Sequence, residues 1–148
     1  MSIKFLLHTC CAPCSIAIID ELKVQFDLTV FFYNPNIFPR EEYLKRKAEV
    51  VKVCEEWQVP MIDQDGDADL WHEKVFKGLE MAEEGGERCA LCFKFRLAKA
   101  AEYAGKNDFQ YYSSSLTSGR NKPAIIINEI GHNFAKIYKI KFYDVDWK

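Results

Sequence analysis

The sequence contains no apolar segment near the roughly 20 residues that a membrane span requires. Its first ten residues hold only a short strand-like run, so no secretory leader is expected and a cytoplasmic protein is. Charge of one sign is not in excess either: 20 Lys and Arg against 22 Asp and Glu leave a net charge of −2. A uniformly basic nucleic-acid binder is thereby excluded, while a local basic patch stays open. Glycine is sparse, with 7 in 148 residues, and none forms a glycine-rich pyrophosphate loop, so chemistry driven by ATP is not expected. Internal repeats, low-complexity runs and linkers are missing as well, and one domain over residues 1–148 is expected. The 6 cysteines are too few to signal a disulfide scaffold. In a reducing compartment such clustered thiols are more often metal-binding or catalytic.

What is present is a core-forming composition, 49% hydrophobic and 14% aromatic. The apolar runs IKFLL (3–7), LTVFFY (28–33), VPMI (59–62), FQYY (109–112) and IKFYDV (140–145) read as strands. Segments of helical period separate them. The first helix is expected from Pro13, with Ile16, Ile19, Leu22 and Phe26 on its buried face. A second is expected from Arg40 to Trp57. A short one from Asp69 to Lys77 should stop at Gly78, and a longer one from Arg88 to Ala104 should stop at Gly105. The last starts at Pro123 and carries Ile126, Ile130, Phe134 and Ile137 inward. This alternation predicts an α/β fold, a doubly wound, mostly parallel five-stranded Rossmann-like sheet of order 3-2-1-4-5. The order reverses between strands one and four, and ligands bind outside the carboxyl ends of the strands at such a reversal. The loops that meet there are HTCCAPCS (8–15) and SSSLTSGRNK (113–122).

Cys10, Cys11 and Cys14 occupy the strand-to-helix turn where nucleotide-binding proteins of this architecture carry glycines. A helix N-terminus there lowers a thiol pKa and favours metal ligation or nucleophilic attack. Cys89 and Cys92, in ERCALCFKFR, are spaced so that both sulfurs can meet one ion. Soft thiolates at a switch point suit an iron–sulfur cluster. Five candidates exceed the four ligands of a [4Fe–4S] cluster, so one is left to bind substrate, hold a second metal or act as a thiol. Cys54 stands alone on the second helix and reads as a small buried hydrophobe.

His8 ends the first strand beside the thiols, placed either to serve the metal site or to fill a structural role. His72 and His132 read as surface residues. The acidic run DQDGDAD (63–69) fails as a calcium loop, because Ala68 falls where glycine is required and Lys74 where glutamate belongs. Tyr33, Asn34 and Asn36, in YNPNIFPREEY, reach the same carboxyl edge, where Asn and Pro also form turns. Arg40, Arg46, Arg88, Lys94, Arg96, Arg120 and Lys122 are expected on or near it, either as a phosphate-binding patch or as solvated helix faces.

The segments LLHTCCAPCS, FFYNPNIFPREEYLKRK and ERCALCFKFRL, in that order and spacing, resemble the QueH-type epoxyqueuosine reductases. The resemblance implies a nucleotide-α-hydrolase-like (HUP) fold and the last step of queuosine biosynthesis. That step is the reductive removal of the epoxide oxygen of epoxyqueuosine at the tRNA wobble position, without cobalamin. It implies a [4Fe–4S] cluster with an adjacent iron, held by Cys10, Cys11, Cys14, Cys89 and Cys92; Cys10, Cys11, Cys89 and Cys92 are the candidate cofactor ligands, and the division of the five between cluster and second metal stays open. Family members commonly continue into an arginine- and tyrosine-containing tail with further cysteines, whereas this sequence ends at YDVDWK.

Under that expectation an iron centre acts on the epoxide oxygen while electrons arrive singly from a ferredoxin- or flavodoxin-like donor. Tyr33 or His8 supplies a proton. Asn34, Asn36, Arg40, Arg46, Arg96, Ser115, Arg120 and Lys122 hold the anticodon stem-loop and the flipped-out wobble base. Two other readings stand beside it. CAPC after a strand resembles a thioredoxin-like thiol–disulfide oxidoreductase site, against which Cys10 and the pair at 89 and 92 argue. A zinc-stabilised RNA-binding module without catalysis is the other.

Overall fold

Side-chain parity along the first strand sets the whole layer structure. In β1 (Lys4–His8), Phe5 and Leu7 enter one apolar cluster and Leu6 the opposite one. The same split recurs in β2 (Asp27–Phe32), where Leu28, Val30 and Phe32 side with Phe5, and Phe31 with Leu6. A strand buried on both faces needs helices on both faces. The computed structural model describes residues 3–9, 12–34, 37, 39–64, 87–115 and 124–143, giving for residues 12–14, 87–90 and 124 the backbone alone.

The helices α1 (Ala12–Lys23) and α2 (Arg40–Glu56) cover one face of the sheet. The helices α3 (Glu87–Lys106) and α4 (Ala124–Tyr138) cover the other. The remaining strands are β3 (Met61–Asp63), β4 (Tyr111–Ser114) and β5 (Lys141–Phe142), and every pairing is parallel in the order β3-β2-β1-β4-β5. The doubly wound topology expected from the sequence is therefore the one observed. The register aligns His8 with both Phe31 and Ser114, so the carboxyl ends of the three central strands finish level.

Three helices end by one device. Gln58, Asp108 and Lys139 take left-handed φ values of 56°, 61° and 59°. The next residue's N–H then reaches back five residues, Val59 to Cys54, Phe109 to Ala104 and Ile140 to Ala135, at 2.9, 3.0 and 3.0 Å. This corrects the expected strand starts. Val59, Phe109 and Ile140 are the apolar residues that close each helix end against the core, and β3, β4 and β5 begin one or two residues later.

It also corrects the expected stop at Gly105, which lies inside the last turn of α3. A Cβ there would stand 3.0 Å from the Tyr138 carbonyl oxygen, so this glycine serves the close approach of α3 and α4. Ala100, Ala101 and Ala104, all fully buried, extend the same thin seam. Gly131 is tighter still, since a Cβ would lie 2.5 Å from the Phe142 ring.

Two helix faces differ from expectation. Ile16 is exposed, whereas Ile19 and Leu22 are buried as expected and Ser15 and Ile18 join them. On α4, Ile126 and Ile137 face solvent while Ile127, Ile130 and Ala135 pack inward, with Phe134 half-buried. A helix with four consecutive apolar residues does not reveal which of them faces in, and the sheet makes the choice. The helix expected at 69–77, with His72, lies outside the described residues, as does most of DQDGDAD. Asp63 ends β3 and pairs with Lys47 at 2.8 Å. His132 is exposed, edge-on to Phe142.

Cys54 is buried in the α1/α2 core, as expected of a lone cysteine. Burial pushes its thiol from 9.0 up to about 11. The folded state thus holds this proton more tightly than the unfolded chain does, and its contribution is complete below pH 9 and lost as pH rises towards 11. Urea-unfolding midpoints of the wild type should fall more steeply between pH 9 and pH 11 than those of the Cys54→Ala variant.

Candidate functional site

At the level ends of the three central strands a polar clasp replaces the apolar core. His8 is fully buried, with Nε2 2.9 Å from the Tyr33 carbonyl oxygen and Nδ1 2.9 Å from Ser114 Oγ. A carbonyl only accepts, so Nε2 carries the proton. In the neutral ring Nδ1 then accepts from the Ser114 hydroxyl, and the imidazole ties β2, β1 and β4 together just below the reversal of strand order. Both ring nitrogens are thereby engaged with protein atoms.

The next residue continues the clasp. Thr9 donates its N–H to the Phe31 carbonyl at 3.0 Å, and its own carbonyl accepts from Asn34 Nδ2 at 2.8 Å. Asn34, fully buried, turns its Oδ1 towards Arg96 Nη1 at 3.3 Å. One amide therefore bridges the residue that precedes Cys10 and the arginine one helical turn beyond Cys92. Ser113, Ser114 and Ser115 are all buried around the same edge, and Ser113 Oγ donates to the Tyr143 carbonyl.

Cys92 is buried in α3 as a thiol outside any disulfide. Cys89 lies one turn earlier on the same helix, and Cys14 lies in the first turn of α1. Cys10 and Cys11 fall outside the described residues, as do Asn36, Arg120 and Lys122. Among the described residues no three His, Cys, Asp or Glu side chains gather as a metal site.

The expected basic edge separates into different environments. Arg96 is only 3% exposed and belongs to the interior clasp. Arg46 is held by Glu42 at 2.8 Å, and Arg40 lies over the Tyr43 ring at 4.9 Å. Lys94 is exposed, while Arg88 is placed only by its backbone at the start of α3. The Tyr33 ring is 2% exposed and stacks with Phe95 at 6.1 Å, with Lys99 Nζ 5.8 Å from its centroid.

Sequence reasoning did not single out Ser114, Thr9 or Ser15. Ser114 was within reach, because parallel register places the residue three after Tyr111 opposite His8 once strand order is known. Ser15 carried no signal: among the described residues its buried hydroxyl, in the first turn of α1, has no hydrogen-bond partner.

These features define a class: a parallel α/β domain with a buried polar clasp at its topological switch point, Cys92 being buried one helical turn before the clasp's arginine. The match to known sequences is more particular. The family model described as epoxyqueuosine reductase QueH covers residues 5–148, and the chain belongs to that family. It is 42% identical over 147 residues to the epoxyqueuosine reductase QueH of Histophilus somni and 44% to that of Acinetobacter baylyi. The matches take in 98% of this chain but 60% and 67% of those proteins. The Thermotoga maritima relative is 32% identical over 141 residues, covering 93% of this chain and 71% of that protein. Among solved structures, a protein titled as a predicted subunit of tRNA methyltransferase from Methanocaldococcus jannaschii superposes with a TM-score of 0.60. That alignment covers 96% of this chain and 68% of the other at 10% identity, a likeness of fold alone.

Proposed function

We propose that this chain forms the α/β reductase core of an epoxyqueuosine reductase, acting on the modified wobble base of tRNA in the cytoplasm with a thiolate-held iron–sulfur centre. The observation that carries this reading is the Asn34 bridge. It supports the convergence of the two cysteine segments, because Thr9 and Arg96 flank them and are two hydrogen bonds apart.

The donor set fits such a centre. Thiolates are the ligands iron–sulfur clusters take, Cys92 is already buried at this edge, and the partnerless hydroxyl of Ser15 and Nε of Arg96 are donors suited to cluster sulfur. Cys10, Cys11, Cys14, Cys89 and Cys92 would hold the cluster and an adjacent iron. When bound, the group supplies single electrons and an electrophilic site for the epoxide oxygen.

The protein's own residues do the rest. His8, locked between Tyr33 and Ser114, fixes the strand ends and so the height of the cysteine turn. Its committed nitrogens make it a positioning residue. Asn34 sets the spacing between that turn and α3. Arg40 and Lys94, with Arg88, Arg120 and Lys122, are assigned to the phosphates of the anticodon stem-loop, whose contribution falls with salt. Two electrons from a ferredoxin- or flavodoxin-like donor and two protons convert the epoxide to an alkene and water.

The test joins metal to reaction. The protein is reconstituted anaerobically with ferrous iron and sulfide, reduced, and inspected by electron paramagnetic resonance. Epoxyqueuosine-containing tRNA is then incubated with it and digested for mass spectrometry. A cluster signal and loss of one oxygen from the nucleoside are expected. Full turnover without iron, or stoichiometric zinc with no turnover, would overturn the reading.

A further inference from the structure

Among the described residues Arg96 is the one buried cation of the clasp, and its surroundings there do not account for its charge. Nη1 meets the neutral Asn34 amide oxygen, the guanidinium carbon lies 6.0 Å from the Phe93 ring centroid, and Nε has no hydrogen-bond partner among the described residues. Among the described residues no carboxylate pairs with it. A guanidinium removed from water without a counter-charge is costly, and a buried donor left unpaired adds to that cost. Such an arrangement persists where an anion completes it.

The placement says where that anion belongs. Arg96 lies four residues beyond Cys92, hence over the same helix face, and both are buried. Its clasp partner Asn34 holds the carbonyl of Thr9, next to Cys10. The cation on the helix of Cys92 is thereby tied through Asn34 to Thr9, the residue that precedes Cys10 in sequence.

We propose that Arg96 is the counter-cation of the thiolate-held centre, stabilising its reduced, more negative form and raising its reduction potential. This rests on the iron–sulfur reading above. Arg96 acts as a positioning and tuning residue, since reduction adds one negative charge beside a fixed positive one and the net charge around a cluster sets its potential. It is not a surface contact for tRNA phosphate.

The test is a redox titration of anaerobically reconstituted wild type, Arg96→Gln and Arg96→Lys, followed by electron paramagnetic resonance, with unfolding of each metal-free protein in urea. Arg96→Gln should shift the midpoint to more negative potential by at least a tenfold change in the reduction equilibrium, about 59 mV for one electron. Arg96→Lys keeps the charge without the planar fork and should shift less. Metal-free Arg96→Gln should unfold at or above the wild-type urea midpoint, the opposite of what a structural arginine gives.

An unchanged potential in a loaded Arg96→Gln protein overturns the inference. So does an unchanged potential accompanied by weaker, less salt-dependent tRNA binding, which would make Arg96 a phosphate ligand. If Arg96→Gln fails to fold, Asn34→Asp, which sets a carboxylate against the guanidinium, must show the same negative shift. A wild type that takes up no iron ends the iron–sulfur reading itself, whereas a loaded wild type with unmoved variants ends only this one.

Discussion

Replacing Cys92 with serine is expected to abolish iron loading and epoxide reduction together. The serine hydroxyl is nearly isosteric and fits the buried pocket of α3, so the fold should survive. It is a hard, weakly acidic oxygen and does not replace a soft thiolate towards iron. Loss of an outer-shell partner typically lowers metal affinity or activity by roughly 10–100-fold, and loss of a ligand should exceed that. Iron and sulfide content, the resonance of the reduced protein and oxygen loss from the nucleoside should all fall to background. Cys54→Ala is the matched control, because Cys54 lies in the last turn of α2 within the opposite core. It should keep wild-type iron content. A Cys92→Ser protein that loads iron and turns over normally would remove this thiol from the site.

The second large effect concerns stability. His8→Ala should cost about 3–5 kcal/mol, from the cavity left by a fully buried ring and from the loss of two buried hydrogen bonds, to the Tyr33 carbonyl and the Ser114 hydroxyl. His8→Gln should recover part of this, since its amide can both donate and accept. Urea unfolding measures the difference. A stable His8→Ala protein that loads iron but no longer reduces the epoxide would instead make His8 the proton donor named in the sequence reading.

The contrast between Ile126 and Cys92 shows what could be read in advance. Spacing assigned α4 and its start, but among Ile125, Ile126 and Ile127 the pattern offers no asymmetry. The sheet buries Ile127 and leaves the other two in solvent. Strand order, by contrast, pointed to the edge that the clasp occupies, whereas cysteine spacing is a statement about ligands rather than faces. Gly105 misled because a glycine near a helix end usually marks a left-handed turn. Here Asp108 takes that conformation, and Gly105 clears space for Tyr138. Arg96 misled for a different reason: arginine is seldom buried, so it reads as surface, and only the packing of α3 over the sheet buries it.

By itself the sequence determined the alternation of strands and helices, the parallel order with its reversal beside the first strand, and the family. Each follows from local periodicity, from the handedness of crossovers or from motif spacing. Only the tertiary structure decided that His8 locks three strands, that Asn34 joins Thr9 to Arg96, and that Arg96 is interior. Those outcomes depend on which side chains meet across 25 to 106 residues of chain. Helical or strand period carries no record of such meetings, because hydrogen bonds between distant residues are selected by packing rather than by neighbours in sequence.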